Sequence, residues 1–220
     1  MIKAVVLDMD GTMFDTERLS IDGWKKAGEA LGCGNVMELI EQAMGITAAA
    51  EKELFLTKYG PDFPFEEFRR ISVDYSRDSI KENGVPVKEG LFELLDYLKR
   101  EGYRIAVATS SSRSSTMSHF ENTKITGYFD QIICGDMIEK SKPDPDIYLK
   151  AAQALQVPPQ ECMALEDSPN GILSAYRAGM KTVMIPDTVP ANPELEEMLF
   201  ACVPTLRGVI PVLENLKKGK

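Results

Sequence analysis

A single histidine, His119, stands in 220 residues, and its rarity removes whole classes of chemistry. Histidine-based phosphatases and H-E-x-x-H zinc enzymes each need at least two such side chains. A Ser-His-Asp hydrolase would have to use His119, which lies in the polar helical stretch Arg113 to Thr123, and no G-x-S-x-G elbow carries a serine. His119 is read instead as a surface or partly buried helix residue. Phosphate-cradling loops are missing too: no G-x-x-x-x-G-K-[ST] occurs, and Gly32-x-Gly34 lacks a third glycine because Met37 occupies its place.

Other shortages narrow the setting. The four cysteines, Cys33, Cys134, Cys162 and Cys202, show no C-x-x-C spacing and sit in mostly apolar segments, as expected of buried free thiols in a reducing cytosol. Cations are outnumbered, 25 Lys and Arg against 34 Asp and Glu, and the formal net charge of −9 argues against a nucleic acid partner, which needs a basic face. A small phosphate ester can still be drawn into a locally positive pocket. No stretch approaches the roughly 20 apolar residues of a membrane span. Lys3 and Asp8 interrupt the apolar run at the start, so no leader is expected. The composition predicts a cytoplasmic protein that neither enters membranes nor binds nucleic acid, and a monomer is expected.

What is present is a set of four punctuated strand ends. The apolar run Ile2-Lys3-Ala4-Val5-Val6-Leu7 delivers Asp8-Met9-Asp10-Gly11-Thr12 into a glycine turn. Two carboxylates two residues apart at the end of a buried strand make a Mg2+ site with an exposed carboxylate nucleophile. Taken alone, the segment is equally an acidic turn. A second apolar run, Ile105 to Ala108, ends in Thr109-Ser110-Ser111-Ser112 with a helix opening at Arg113, which offers hydroxyls and free N–H groups to an anion or simply caps the helix. In Lys142-Pro143-Asp144-Pro145-Asp146 two prolines stiffen the chain around a lysine just before a helix, a way to hold one ammonium over a phosphate and the nucleophile. Last, Cys162 to Leu165 runs into Glu166-Asp167-Ser168-Pro169-Asn170-Gly171, where adjacent carboxylates repel unless a cation lies beside them.

These four segments together resemble the haloacid dehalogenase (HAD) superfamily of aspartyl-phosphate enzymes, over nearly the whole length from Ile2 to about Asp187. The resemblance implies that Asp8 is the nucleophile that attacks phosphorus to give an aspartyl-phosphate, and Asp10 the general acid and then base. It implies that Thr109 and the Ser110 backbone amide bind phosphate, and that Lys142 binds the transferring phosphoryl group and the nucleophile. It further implies Mg2+ held by Asp8, the Asp10 carbonyl, Glu166 and Asp167. Phosphoryl transfer asks a protein for in-line positioning and for positive charge around the equatorial oxygens, which Lys142 and Mg2+ would supply.

Strand-like runs fall at residues 2 to 8, 103 to 109, 130 to 134, 161 to 166 and 181 to 186, separated by helical patterns at Lys88 to Glu101, Arg113 to Thr123, Asp146 to Gln156 and Asn170 to Ala178. Such alternation predicts an α/β fold, a Rossmann-like parallel sheet whose four motifs lie at strand C-termini. Pro193 to Leu216 reads as helix packed on the sheet, with a frayed Lys217-Lys218-Gly219-Lys220 tail. Residues 15–84 show no strand pattern but carry apolar positions at helical spacing: Leu19, Trp24, Ala27, Ala30 and Leu31, then Leu54, Phe55 and Tyr59, then Phe65, Phe68, Ile71 and Tyr75. They are read as an inserted α-helical cap in a core of residues 1–14 and 85–220, joined by flexible segments at Phe14 to Glu17 and Glu82 to Pro86. In the resembled family such a cap closes over the site and excludes water.

Within that superfamily the pattern points to a Mg2+-dependent phosphatase acting on a small phosphorylated metabolite, a sugar phosphate or nucleotide-like monoester. Asp10 argues against carbon–halogen chemistry, which needs neither Mg2+ nor an acid. The alternative is a β-phosphoglucomutase-type enzyme, but Ser20, Met44 and Ala48 stand where the mutase has a steering histidine and a basic pair. Asp15-Thr16-Glu17-Arg18-Leu19, Lys142 to Tyr148 and Glu166 to Met184 resemble the pseudouridine-5′-phosphatase branch. A non-catalytic phospho-acceptor module shares the acidic site, Thr/Ser and Lys; the 70-residue insertion and Asp10 speak against it.

Overall fold

The computed structural model describes residues 1–33 and 35–219. Gly34 of the Gly32-x-Gly34 pair and Lys220 of the basic tail lie outside the described residues. In chain order the elements are β1 (Ala4–Leu7), α1 (Glu17–Leu31), α2 (Ile40–Ala43), α3 (Ala48–Tyr59), α4 (Phe65–Asn83), α5 (Leu91–Arg100), β2 (Arg104–Ala108) and α6 (Arg113–Thr123). There follow β3 (Gln131–Ile133), α7 (Asp146–Leu155), β4 (Cys162–Glu166), α8 (Pro169–Arg177), β5 (Lys181–Met184), α9 (Pro193–Glu196), β6 (Ala201–Cys202) and α10 (Val209–Lys217).

All the strands run parallel, in the order β3-β2-β1-β4-β5-β6. β1 is uniformly apolar because it is covered on both faces, and its side chains divide with a period of two. Val5 and Leu7 enter a layer with Leu94, Leu98, Phe120 and Leu213, whereas Ala4 and Val6 meet Ala106, Ala108, Tyr148 and Ala151 on the other face. Strand order reverses between β1 and β4, whose register pairs Leu7 with Leu165. The crevice at such a switch point, outside the strand C-termini, is where open α/β sheets bind ligands. Asp8 leaves β1 there and Glu166 ends β4.

The C-terminal reading needs correction. Residues 193–216 do not form one helix: α9 ends at Glu196, Ala201 pairs with Val183 and Cys202 with Met184 in the edge strand β6, and only then does α10 begin. Pro204, without an N–H, stands just past that strand and helps to break any helix across it. A two-residue strand is too short to carry a period. Cys202, read as buried, is exposed on this edge, and Cys33 is only partly buried; Cys134 and Cys162 are buried.

Residues 17–83 fold as helices around their own aromatic core, with Phe55 4.9 Å from Trp24 and 4.6 Å from Phe68, ring centre to centre. Two positions read as part of that stripe, Ala30 and Tyr75, face solvent instead. The two crossings between this helical unit and the sheet, read as flexible, are tied side by side: the Asp15 amide donates to the Pro86 carbonyl (2.9 Å) and Lys88 to Met13 (3.0 Å), with Phe14 buried between them. Among the described residues no helix is long and apolar enough to cross a membrane.

Candidate active site

The turn after β1 is built by Gly11, at φ +80°, where a side chain is disfavoured on conformational grounds. It is also excluded by space, since a Cβ on Gly11 would lie 2.2 Å from Asp167 Oδ2. The Asp8-Met9-Asp10 segment therefore lies directly against the end of β4. Carboxylate oxygens of Asp8, Glu166 and Asp167 fall within 4.8 Å of one another, all three residues buried. Asp8 was expected to be exposed; at 5% accessibility it is sheltered.

Lys142 reaches into this cluster from the loop before α7, and its side chain is fully buried. Nζ donates to Asp8 Oδ1 (2.5 Å), Glu166 Oε1 (2.6 Å) and the Ala108 carbonyl (3.2 Å), which uses its three protons. Burial works against the ammonium, yet Asp8 and Glu166 outweigh it and hold the Lys142 pKa above the ordinary lysine range. Burial also pushes the Asp8 carboxyl up, with Lys142 pulling it back down and Glu166 adding to the rise. For Asp167 burial, then Asp8 and Glu166, push the carboxyl well up.

Glu166 is saturated. Oε1 also accepts from the Tyr148 hydroxyl (2.5 Å), and Oε2 accepts from the Asp167 amide (3.2 Å), the Ser168 amide (3.4 Å) and the Ser168 hydroxyl (3.2 Å). Asp167 differs: Oδ1 accepts from Thr12 (2.8 Å), and Oδ2 is buried without a partner. Two like charges about 4 Å apart repel by about 4 kcal/mol at an effective dielectric of about 20. One ammonium among three carboxylates leaves a deficit of positive charge, and an orphaned buried oxygen marks where a hard cation fits. Of the predicted side-chain ligands, Asp167 keeps an oxygen without a partner and Asp8 has a carboxylate oxygen within 4.8 Å of it, whereas the Glu166 oxygens already accept five hydrogen bonds.

Asp10 is held at both oxygens. Thr16 donates to Oδ1 (2.6 Å) and Ser111 to Oδ2 (2.7 Å), while Thr109 Oγ1 stands 3.5 Å from Oδ2 and accepts from the Ser111 amide (3.1 Å). Thr109 and Lys142 thus join the aspartates at one strand-end cluster. Ser110 turns its hydroxyl away, to the Gly45 carbonyl at 2.6 Å. Ser111, Thr16, Thr12, Tyr148 and Ser168 were missed as site residues. Ser111 lay inside the hydroxyl cluster, but Tyr148 carries no sequence signal beyond a core aromatic on a helix.

His119 is buried rather than at the surface, edge-on to Phe14 with ring centres 5.7 Å apart, and burial depresses its pKa. Glu17, at the start of α1, is pushed up to about 8 by burial and by Asp10, Asp187, Glu166 and Glu51. Glu51 is pushed to about 7 by burial, against the pull of Arg69, whose Nη1 lies 3.1 Å from it.

A doubly wound sheet with a lysine-bridged carboxylate cluster at its switch point is the architecture of an α/β enzyme. The chain belongs to the haloacid dehalogenase-like hydrolase family, whose pattern matches residues 5–185. It is 28% identical to the phosphorylated carbohydrates phosphatase of Thermotoga maritima over 186 residues, 83% of this chain and 84% of that protein. It is 32% identical to the β-phosphoglucomutase of Bacillus subtilis over 188 residues, 83% of this chain and 82% of the mutase. The crystal structure of CbbY from Rhodobacter sphaeroides in complex with phosphate superimposes with a TM-score of 0.80 at 28% identity, covering 95% of this chain and 96% of CbbY.

Proposed function

We propose that this enzyme is a Mg2+-dependent phosphatase that hydrolyses a small phosphate monoester, a sugar phosphate or nucleotide-like ester, through an aspartyl-phosphate on Asp8. The observation that carries the reading is the division of labour between two carboxylates two residues apart. Asp8 lies against Lys142 and the acidic cluster, whereas Asp10 is steered away from it by Thr16 and Ser111.

In the first half-reaction an Asp8 oxygen bonds to phosphorus as the ester P–O bond breaks, and Asp10, protonated, gives its proton to the departing alkoxide. In the second, Asp10 takes a proton from water, whose oxygen attacks phosphorus and returns Asp8 as a carboxylate with release of inorganic phosphate. Thr109 and the Ser110 amide would hold the phosphoryl oxygens through both steps, and Lys142 would supply positive charge beside Asp8, turning a proton from one of its present partners to the phosphoryl group. The residues fitted to hold Mg2+ are Asp8, Asp167 and the Asp10 carbonyl, with Glu166 fixing Lys142 and Asp167. Bound there, Mg2+ supplies the charge that lets an anionic carboxylate approach an anionic phosphate.

Residues 15–84 act as the cap over the core of residues 1–14 and 85–220. Their charges favour hydrolysis over a mutase reaction. Arg18, Lys25, Lys52, Lys58, Arg69, Arg70 and Arg77 are each paired with a carboxylate, and the Glu17 carboxyl is pushed up by burial and by Asp10. Among the described cations of this unit only Lys26 and Lys81, both exposed, have no such pair, so a second phosphate would find few free cations there. The setting we propose is the cytoplasm. The test is a panel of sugar, nucleotide and polyol monophosphates with Mg2+: release of phosphate that EDTA abolishes is expected, and no turnover on any member would count against the proposal.

A further inference from the structure

The segment between α2 and α3 lies on the sheet domain largely through its backbone, with Met44 Sδ also accepting from the Thr188 hydroxyl (3.4 Å). Asn170 Nδ2 donates to the carbonyls of Gln42 (3.2 Å) and Met44 (2.9 Å). Ser110 Oγ donates to the Gly45 carbonyl (2.6 Å), and the Thr47 amide donates to Ser141 Oγ (2.8 Å). Gly45 itself, at φ +74°, approaches so closely that a Cβ there would stand 2.4 Å from Ser168 Oγ.

The core partners are not scattered. Ser110 follows Thr109, Ser141 precedes Lys142, Ser168 follows Asp167 and Asn170 is the second residue of α8 just beyond it. Each of three strand-end loops that carry a site residue thus also carries a residue that grips the same six-residue stretch of cap backbone. Because these four hydrogen bonds are to peptide groups, they do not depend on the side chain at Ile46, whereas Met44 is itself buried and adds a contact of its own to Thr188.

We infer that Ser110, Ser141 and Asn170 are positioning residues that clamp residues 42–47 of the cap onto the core, so that cap closure and the placement of Thr109, Lys142 and Asp167 are one event. The clamp rests on the proposed phosphatase only for its kinetic consequence. A released cap would bind the leaving group poorly, raising KM for a sugar phosphate by about 5-fold per hydrogen bond lost. p-Nitrophenyl phosphate, with little for a cap to grip, would change less.

Asn170 provides the decisive variant because it donates to carbonyls, so its removal deprives no amide of its own partner. Hydrogen exchange of the metal-free protein at Gly45 and Ile46 should accelerate in Asn170→Ala. It should accelerate further in the nearly isosteric Asn170→Asp, which sets a carboxylate against two carbonyls. Gly45→Ala, which leaves the core untouched, should have the same effect by propping the loop away. Unchanged α8 exchange shows that the core is intact, and Ser110→Ala repeats the test from β2 should α8 loosen. Exchange in Asn170→Asp equal to wild type, or slower than in Asn170→Ala, would overturn the clamp. This measurement needs no turnover, so an inactive wild-type protein would sink the proposed function alone.

Discussion

Replacing Asp8 by Asn keeps the shape and an oxygen that can accept from Lys142, while Glu166 still pairs with the ammonium. The fold should therefore survive, with an unchanged circular dichroism spectrum, but an amide cannot serve as the phosphorylated nucleophile. Turnover should fall by about 10³-fold or more; appreciable turnover in Asp8→Asn would rule out the covalent route. Asp10→Asn removes the proton donor and acceptor but spares the nucleophile. Hydrolysis should fall by about 10²–10⁴-fold, less for good leaving groups, and a phospho-enzyme should persist long enough to detect by mass spectrometry. An Asp10→Asn enzyme that lost phosphorylation and dephosphorylation equally on all substrates would deny Asp10 its acid–base role. At this scale the cluster is legible because Asp8, Asp10, Thr109, Glu166 and Asp167 lie at or within a few residues of a strand end and Lys142 lies shortly before a helix, and each carries charge or a hydroxyl. The saturation of Glu166 is not, since it depends on Tyr148, whose hydroxyl meets Glu166 only once α7 packs on the sheet.

Helices α1, α3 and α4 depend on one ring. Phe55 has no accessible surface and is enclosed by Trp24, Phe63, Phe65 and Phe68 at 4.6 to 5.5 Å between ring centres. Phe55→Ala should cost about 3–5 kcal/mol by lost burial and a residual cavity. The loss should show first as faster hydrogen exchange in α1, α3 and α4, with the sheet protected, because few core side chains of the helical unit are shared with the sheet; simultaneous loosening of β1 and β4 would contradict that separation. Long, strongly periodic elements such as these could be read from sequence, as could α6, whose predicted limits, Arg113 to Thr123, are those observed. Edge strand β6 could not, because its two residues are placed by pairing: the Phe200 amide donates to the Thr182 carbonyl (2.8 Å) and Val203 to Met184 (2.9 Å). His119 illustrates the same limit, as its polar neighbours on α6 conceal that Phe14, distant in sequence, buries it.

The molecule as a whole places acids of the helical unit, Glu17 and Glu51, close to those at the strand ends, and this sets its pH response. Glu17, pushed up to about 8, and Glu51, to about 7, keep their protons in the folded protein long after an unfolded chain, with its carboxylates near 4.5, has released them. Between pH 4.5 and 8 the folded state binds more protons, so the stability these groups contribute is complete below the lower limit and lost as pH rises through the upper. Metal-free protein should therefore show a falling Tm from pH 5 to 8, and Glu17→Gln should flatten the fall; a Glu17→Gln profile parallel to wild type would place that carboxyl in ordinary solvent. The charges of the helical unit also bear on the choice between water and a second sugar phosphate as acceptor. A mutase must hold a bisphosphorylated intermediate and return it in the opposite orientation, which takes cationic contacts to the distal phosphate. Here Met44 and Ala48, read as the positions of the basic pair, carry no charge, Met44 being buried and Ala48 opening α3, and Arg69 is already committed to Glu51. With no cation placed at either position, water should take the phospho-enzyme. β-Glucose 1-phosphate, if turned over, should yield glucose and inorganic phosphate; glucose 6-phosphate as the main product in a coupled assay, with or without added bisphosphate, would make the enzyme a mutase.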